Sequence, residues 1–147
     1  MAEEIVKRLV KVGDTAEFSK TIAECDVYAF AGITGDFGRM HIDEEYAKNG
    51  YFGKRVAHGL IGSSFPSTIM GTVLPGPGTI LIEYNMKYKN PTFMGDTITA
   101  KIVVTKITEK EKGYIAEFDC VCTNQRGEVT TIGTAKEMMP KTHFIVE

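Results

Sequence analysis

The run Gly59-Leu60-Ile61-Gly62-Ser63-Ser64-Phe65-Pro66-Ser67-Thr68-Ile69-Met70-Gly71-Thr72-Val73-Leu74 decides the fold class. Its apolar residues are separated by Gly, Ser and Thr rather than by charge, which predicts a helix over residues 59–74 buried on most of its sides. Pro66 falls inside it and is expected to remove one backbone hydrogen bond and kink the helix, at a cost of ~3 kcal/mol. A helix this apolar needs cover, and the chain beyond it supplies strands. Four stretches rich in β-branched residues, at about 79–90, 96–108, 114–124 and 128–139, are separated by turn signals at Asn90-Pro91, Lys112-Gly113 and Arg126-Gly127. They read as an antiparallel meander. The combination predicts an α+β fold in which an antiparallel sheet of about five strands wraps a central apolar helix.

Upstream of the helix, residues 15–20 read as a short strand and 24–32 as a short helix with Val27, Phe30 and Ala31 on one face. Thr34 to His41 holds too much glycine for regular structure and reads as a loop. Asp43 is expected to cap a short helix over 44–48, ended by Asn49-Gly50. The mixed N-terminal half gives way to the all-strand half near Gly76-Pro77-Gly78, with no linker, repeat or charge block between them. A single domain over residues 1–147 is therefore expected. Such a sheet keeps one free edge, which predicts pairing across a two-fold axis into a homodimer, with higher assembly left open.

Seventeen basic against nineteen acidic residues give a net charge of −2, which lacks the positive footprint that attracts nucleic acid or an anionic membrane. Neither is an expected partner. The opening Met1-Ala2-Glu3-Glu4 is acidic rather than a basic leader, and no apolar run approaches the ~20 residues that span a bilayer, so the expected location is cytoplasmic. Cys25, Cys120 and Cys122 are an odd number, against a disulfide framework, and read as buried thiols acting as small hydrophobes. No metal site or cofactor is expected.

Three features carry chemistry. Asp36 and His41 stand five residues apart across a glycine-rich loop that can bring them together, and a carboxylate with an imidazole can manage one water molecule. The same spacing also suits an Asx turn at Asp36 and a helix cap at His41. Gly59 opens the apolar helix, where free N–H groups suit an oxygen gaining negative charge; the alternative is a plain N-cap glycine. His58 beside it reads either as a reactive group or as a buried supporting one. Ser63 and Ser64 present hydroxyls on the first turns of the helix that could face a substrate or bond back to the preceding turn, and Ser64 and His58 join Tyr51 and Phe52 as candidate substrate-binding residues. No Gly-x-Ser-x-Gly elbow, phosphate loop, dinucleotide fingerprint or His-Glu-x-x-His is present, which disfavours serine nucleophiles, ATP, NAD and zinc.

Taken together, Thr34-Gly35-Asp36-Phe37-x-x-Met40-His41-x-Asp43, Phe52-Gly53-x-x-Val56-Ala57-His58-Gly59-Leu60, Leu74-Pro75-Gly76 and Pro91-x-Phe93-x-Gly95-Asp96 resemble the MaoC-like, (R)-specific enoyl-CoA hydratase family. The resemblance runs over about residues 15–139. It implies a hot-dog fold, a dimer with active sites near the subunit interface, and syn hydration of trans-2-enoyl thioesters or its reverse, with coenzyme A as part of the substrate. It further implies that Asp36 and His41 are the catalytic pair, that the Gly59 N–H holds the thioester oxygen, and that Ser64 stands near the pair. Where the family usually has Asn-Pro between acid and histidine, this chain has Gly38-Arg39. Arg39 therefore brings a cation that either lowers the Asp36 pKa or meets an anionic substrate group. Tyr51, Phe52, Phe65 and Met70 are candidates for an acyl pocket or for plain core, and Lys54 and Arg55 for CoA phosphates or for solvated charges. The alternatives are a dehydratase acting on acyl carrier protein, a hot-dog thioesterase and a non-catalytic acyl-CoA-binding module.

Overall fold

The apolar run forms two short helices rather than one kinked helix. In the computed structural model, which describes residues 6–147, the elements are β1 (Arg8–Val10), β2 (Thr15–Thr21), α1 (Glu24–Thr34), α2 (Arg39–Ile42), α3 (Glu44–Lys48), α4 (Gly59–Ser63), α5 (Phe65–Thr72), β3 (Ile80–Tyr88), β4 (Thr97–Glu109), β5 (Gly113–Thr123), β6 (Val129–Pro140) and β7 (Phe144–Val146). The acidic opening Met1-Ala2-Glu3-Glu4 lies outside the described residues. At the break, Ser64 gives its N–H to the Leu60 and Ile61 carbonyls, and its own carbonyl accepts from the Thr68 N–H. Pro66 thereby falls in the first turn of α5, where its missing N–H has no intrahelical partner to lose. The expected kink and its cost do not arise.

Five strands form one antiparallel sheet in the order β2-β4-β5-β6-β3. The hairpins β4-β5 and β5-β6 follow the turn signals at Lys112-Gly113 and Arg126-Gly127, but β3 does not pair with β4. It lies at the far edge beside β6, in register from Ile80–Met138 to Tyr88–Thr131. The Asn90-Pro91 signal therefore marks a crossover, not a hairpin, and the expected four-strand meander is corrected there. Periodicity tells which face of a strand is apolar; it does not tell which edge finds which neighbour. A second, two-stranded parallel sheet joins β1 to β7, two three-residue strands too short to leave a pattern in the sequence.

The sheet turns Ile98, Ala100, Ile102 and Val104 of β4, Phe118, Cys120 and Cys122 of β5, and Ala135 and Met139 of β6 toward Phe65, Ile69 and Met70 of α5. Burial pushes the thiols of Cys120 and Cys122 up to about 12, so both behave as small hydrophobes. Cys25 departs from that expectation, being exposed on α1. Asp43 caps α3 as expected, its Oδ1 accepting the Tyr46 N–H at 2.9 Å.

Candidate active site

Local chemistry brings the acid and the imidazole together. Helix α1 runs on to Thr34 and closes at Gly35, whose φ of 80° lets its N–H reach back to the Ala31 carbonyl. Thr34 Oγ1 donates to the Phe30 carbonyl and accepts the Asp36 N–H at 3.2 Å, which starts the next turn. Asp36 Oδ1 then accepts the Gly38 N–H at 3.1 Å, an Asx turn that points the carboxylate back over Gly38. The loop is shorter than expected, because Arg39–Ile42 is already helical. That turn of helix carries His41 onto the same spot: a Cβ on Gly38 would stand 3.1 Å from Asp36 Oδ1 and 3.8 Å from His41 Nε2.

Hydrogen bonds fix the state of both nearby imidazoles. His41 Nδ1 lies 2.7 Å from the Val56 carbonyl, which can only accept, so Nδ1 carries the proton and Nε2 of the neutral ring is left as an acceptor. His58 is 3% exposed and its Nε2 lies 2.9 Å from the Asp36 carbonyl, so that nitrogen donates. Its Nδ1 is buried with no partner among the described residues. The two rings stack at 3.9 Å and 26°. Acidic and imidazole ligand atoms of Asp36, His41 and His58 all lie within 4.8 Å of one another, a spacing that suits shared proton chemistry and that a cation could also use. Arg39 takes no part: its Nε and Nη2 donate to Asp43 Oδ2 at 2.9 and 2.8 Å, and its guanidinium lies 4.5 Å from the Tyr46 ring centroid.

A cavity of about 750 Å³ opens beside the pair. His41, Tyr51, Phe52 and Gly59 line it, together with Met40, Val56, Ala57 and Leu60 and a second wall of Tyr88, Asn90, Pro91, Thr92 and Thr131. Asp36 and His58 adjoin His41 but are not wall residues. The Gly59 N–H has no protein acceptor among the described residues, and a Cβ on Gly59 would lie 2.9 Å from two carbons of the Tyr88 ring. Only glycine lets that ring close over the start of α4. The exposed Ser64 is not a wall residue; its Oγ donates to the Ile61 carbonyl at 2.6 Å. Ser63 is buried instead, its Oγ 2.9 Å from the Tyr88 hydroxyl. Phe65 and Met70 are core.

A family comparison matches the MaoC like domain over residues 8–121. The chain belongs to the MaoC-like domain family. It is 40% identical over 131 residues to an (R)-specific enoyl-CoA hydratase of Rhodospirillum rubrum, covering 89% of each chain. With a 3-hydroxybutyryl-CoA dehydratase of Methylorubrum extorquens it shares 36% identity over 90% of this chain and 82% of that one. Among solved structures, the (R)-hydratase of A. caviae involved in PHA biosynthesis superposes with a TM-score of 0.83 at 33% identity, over 89% of this chain and 98% of that one. The α+β hot-dog architecture expected from the sequence is thus shown.

Within this MaoC-like domain the second wall went unread in the sequence. Tyr88 looks there like any strand aromatic and Asn90-Pro91 like any turn; only the crossover, tied down where the Ala57 N–H meets the Thr92 carbonyl at 2.8 Å, brings them over Gly59. The two cations weighed for CoA phosphates part company. Arg55 is held by Glu24 at 2.6 Å and Glu44 at 2.7 Å, stapling α1 to α3, whereas the exposed Lys54 extends over the Phe93 ring at 4.0 Å and meets no carboxylate within salt-bridge distance among the described residues.

Proposed function

We propose that this chain is an (R)-specific enoyl-CoA hydratase, adding water to trans-2-enoyl-CoA or removing it from the (R)-3-hydroxyacyl thioester. The observation that carries the reading is that the Asp36 carboxylate and the His41 ring nitrogen lie within 4.8 Å of each other, with His41 in the wall of an apolar cavity. A water held by both groups loses a proton to the pair as its oxygen bonds to C3. The C2–C3 π electrons move toward the thioester, whose oxygen gains charge and is met by the Gly59 N–H. Return of the proton to C2 completes the addition, and the reverse order gives dehydration. The donor on His41 Nδ1 favours its Nε2 as the proton acceptor, with Asp36 orienting the water; the two act as one unit. Tyr51 and Phe52 at the cavity wall are assigned to the acyl or pantetheine arm, and coenzyme A enters only as part of the substrate.

Crotonyl-CoA tests this directly. Loss of the conjugated-enoyl absorbance with no release of free thiol is expected. Thiol release instead would make it a thioesterase, and no change on any enoyl thioester would leave an acyl-CoA-binding module.

A homodimer joined along β3 completes the proposal. That strand is one of the two sheet edges, and its Ile80, Leu81 and Ile82 are 53%, 46% and 54% exposed, a run of large apolar side chains that a second copy would cover. Light scattering at micromolar concentration should give at least twice the chain mass; a monomer would overturn it.

A further inference from the structure

We propose that His58 is a positioning residue that holds both members of the acid–base pair at once, through the Asp36 backbone and the face of the His41 ring. The inference rests on the reading of Asp36 and His41 as that pair. His58 sits between the Phe30 ring at 4.8 Å and the His41 ring at 3.9 Å, almost wholly shielded from solvent. Its Nε2–H spans 22 residues of sequence to the Asp36 carbonyl at 2.9 Å, and the same nitrogen is 3.8 Å from Asp36 Oδ2.

A space-filling role does not account for the choice of residue. A phenylalanine would fill the site without leaving a lone pair buried and unpartnered, as His58 Nδ1 is, and such orphaned groups are rare because they are costly. What histidine adds is one donor at the right place on a flat ring. The donor pins the peptide from which the Asp36 side chain projects. The ring, stacked 3.9 Å from that of His41, sets the plane of His41.

Two variants separate the two contacts. His58→Phe keeps the flat ring and loses the donor, and His58→Gln keeps an N–H and loses the stack. Each should lower kcat on crotonyl-CoA by ~10–100-fold, the size expected when a reacting group is slightly misplaced, with KM changed by no more than about threefold. In a His41→Ala background the effect of His58→Gln should shrink to about twofold or less, since there is no ring left to orient. Nitrogen-15 NMR of the wild type should show His41 protonated at Nδ1 toward the Val56 carbonyl, and in His58→Gln, where the ring is free to turn out of that bond, a second tautomer should appear. An unchanged kcat in both variants overturns the proposal. So does an equal fall with and without His41, which would mark a merely structural effect. If His41→Ala itself turns over like wild type, the acid–base reading has failed first, and His58 with it.

Discussion

The Gly38 N–H donates to Asp36 Oδ1 at 3.1 Å, and a Cβ added to Gly38 would stand the same distance from that oxygen. The carboxylate side chain is 53% exposed, so it can yield the few tenths of an ångström that a side chain at position 38 needs. Gly38 has φ −52° and ψ 127°, a conformation open to any residue and compatible with a following proline, and position 39 is the first of α2, where proline is tolerated.

The variant Gly38→Asn with Arg39→Pro, which gives the loop usual in the family, should therefore fold and raise crotonyl-CoA hydration. It also sacrifices the Arg39–Asp43 ion pair, an exposed contact whose loss should show only as a small drop in Tm. Loss of an activity on another acyl thioester would instead make Arg39 a specificity residue.

Asp36→Asn and His41→Ala should each cut turnover by ~10²–10⁴, the range for a positioned acid or base. Because both act on one water, the double variant should be little worse than the poorer single one. Stopped-flow rates that fall additively would show independent roles.

The oxyanion assignment to Gly59 needs a paired test, because any Cβ there meets the Tyr88 ring at 2.9 Å. Gly59→Ala suffers the clash and keeps the N–H; Gly59→Pro suffers the clash and loses it. Turnover should be ~10²–10³ lower for Pro than for Ala, the size of one oxyanion donor. Equal rates for the two would remove Gly59 N–H from the mechanism.

Chelation separates proton chemistry from metal chemistry at Asp36, His41 and His58. Dialysis against EDTA should leave the hydration rate unchanged, and a loss restored by added divalent metal would rewrite the role of the cluster.

Glu137, 3% exposed on β6, offers a pH test of stability. Burial pushes its carboxyl above the ordinary value, only partly opposed by the Thr79 hydroxyl. The folded chain thus binds this proton more tightly than the unfolded one, so its contribution is fully present below the unfolded value near 4.5 and is lost as pH rises through the raised folded value. Glu137→Gln, neutral throughout, should match wild type in Tm at pH 4 and exceed it at pH 8. Equal Tm values at both pH values would show that the carboxylate is solvated.

What the sequence alone determined is whatever depends on neighbours along the chain. Apolar spacing predicted the buried helical region and the strand stretches, the turn at Asp36 follows from its side chain and Gly38, and Asp43 capped α3 through a contact three residues away. The family motifs added the pairing of Asp36 with His41, which spacing alone ranked below an Asx turn and a helix cap. Tertiary structure decided the rest. That β3 pairs with β6, that Pro66 begins a helix instead of kinking one, that Tyr88 closes over Gly59, and that His58 reaches back to the Asp36 carbonyl all depend on contacts 20 or more residues apart or on the local break at Ser64 that packing selects. The energy of such contacts comes from burial and from satisfying polar groups in three dimensions, and neither is encoded in any local period of the chain.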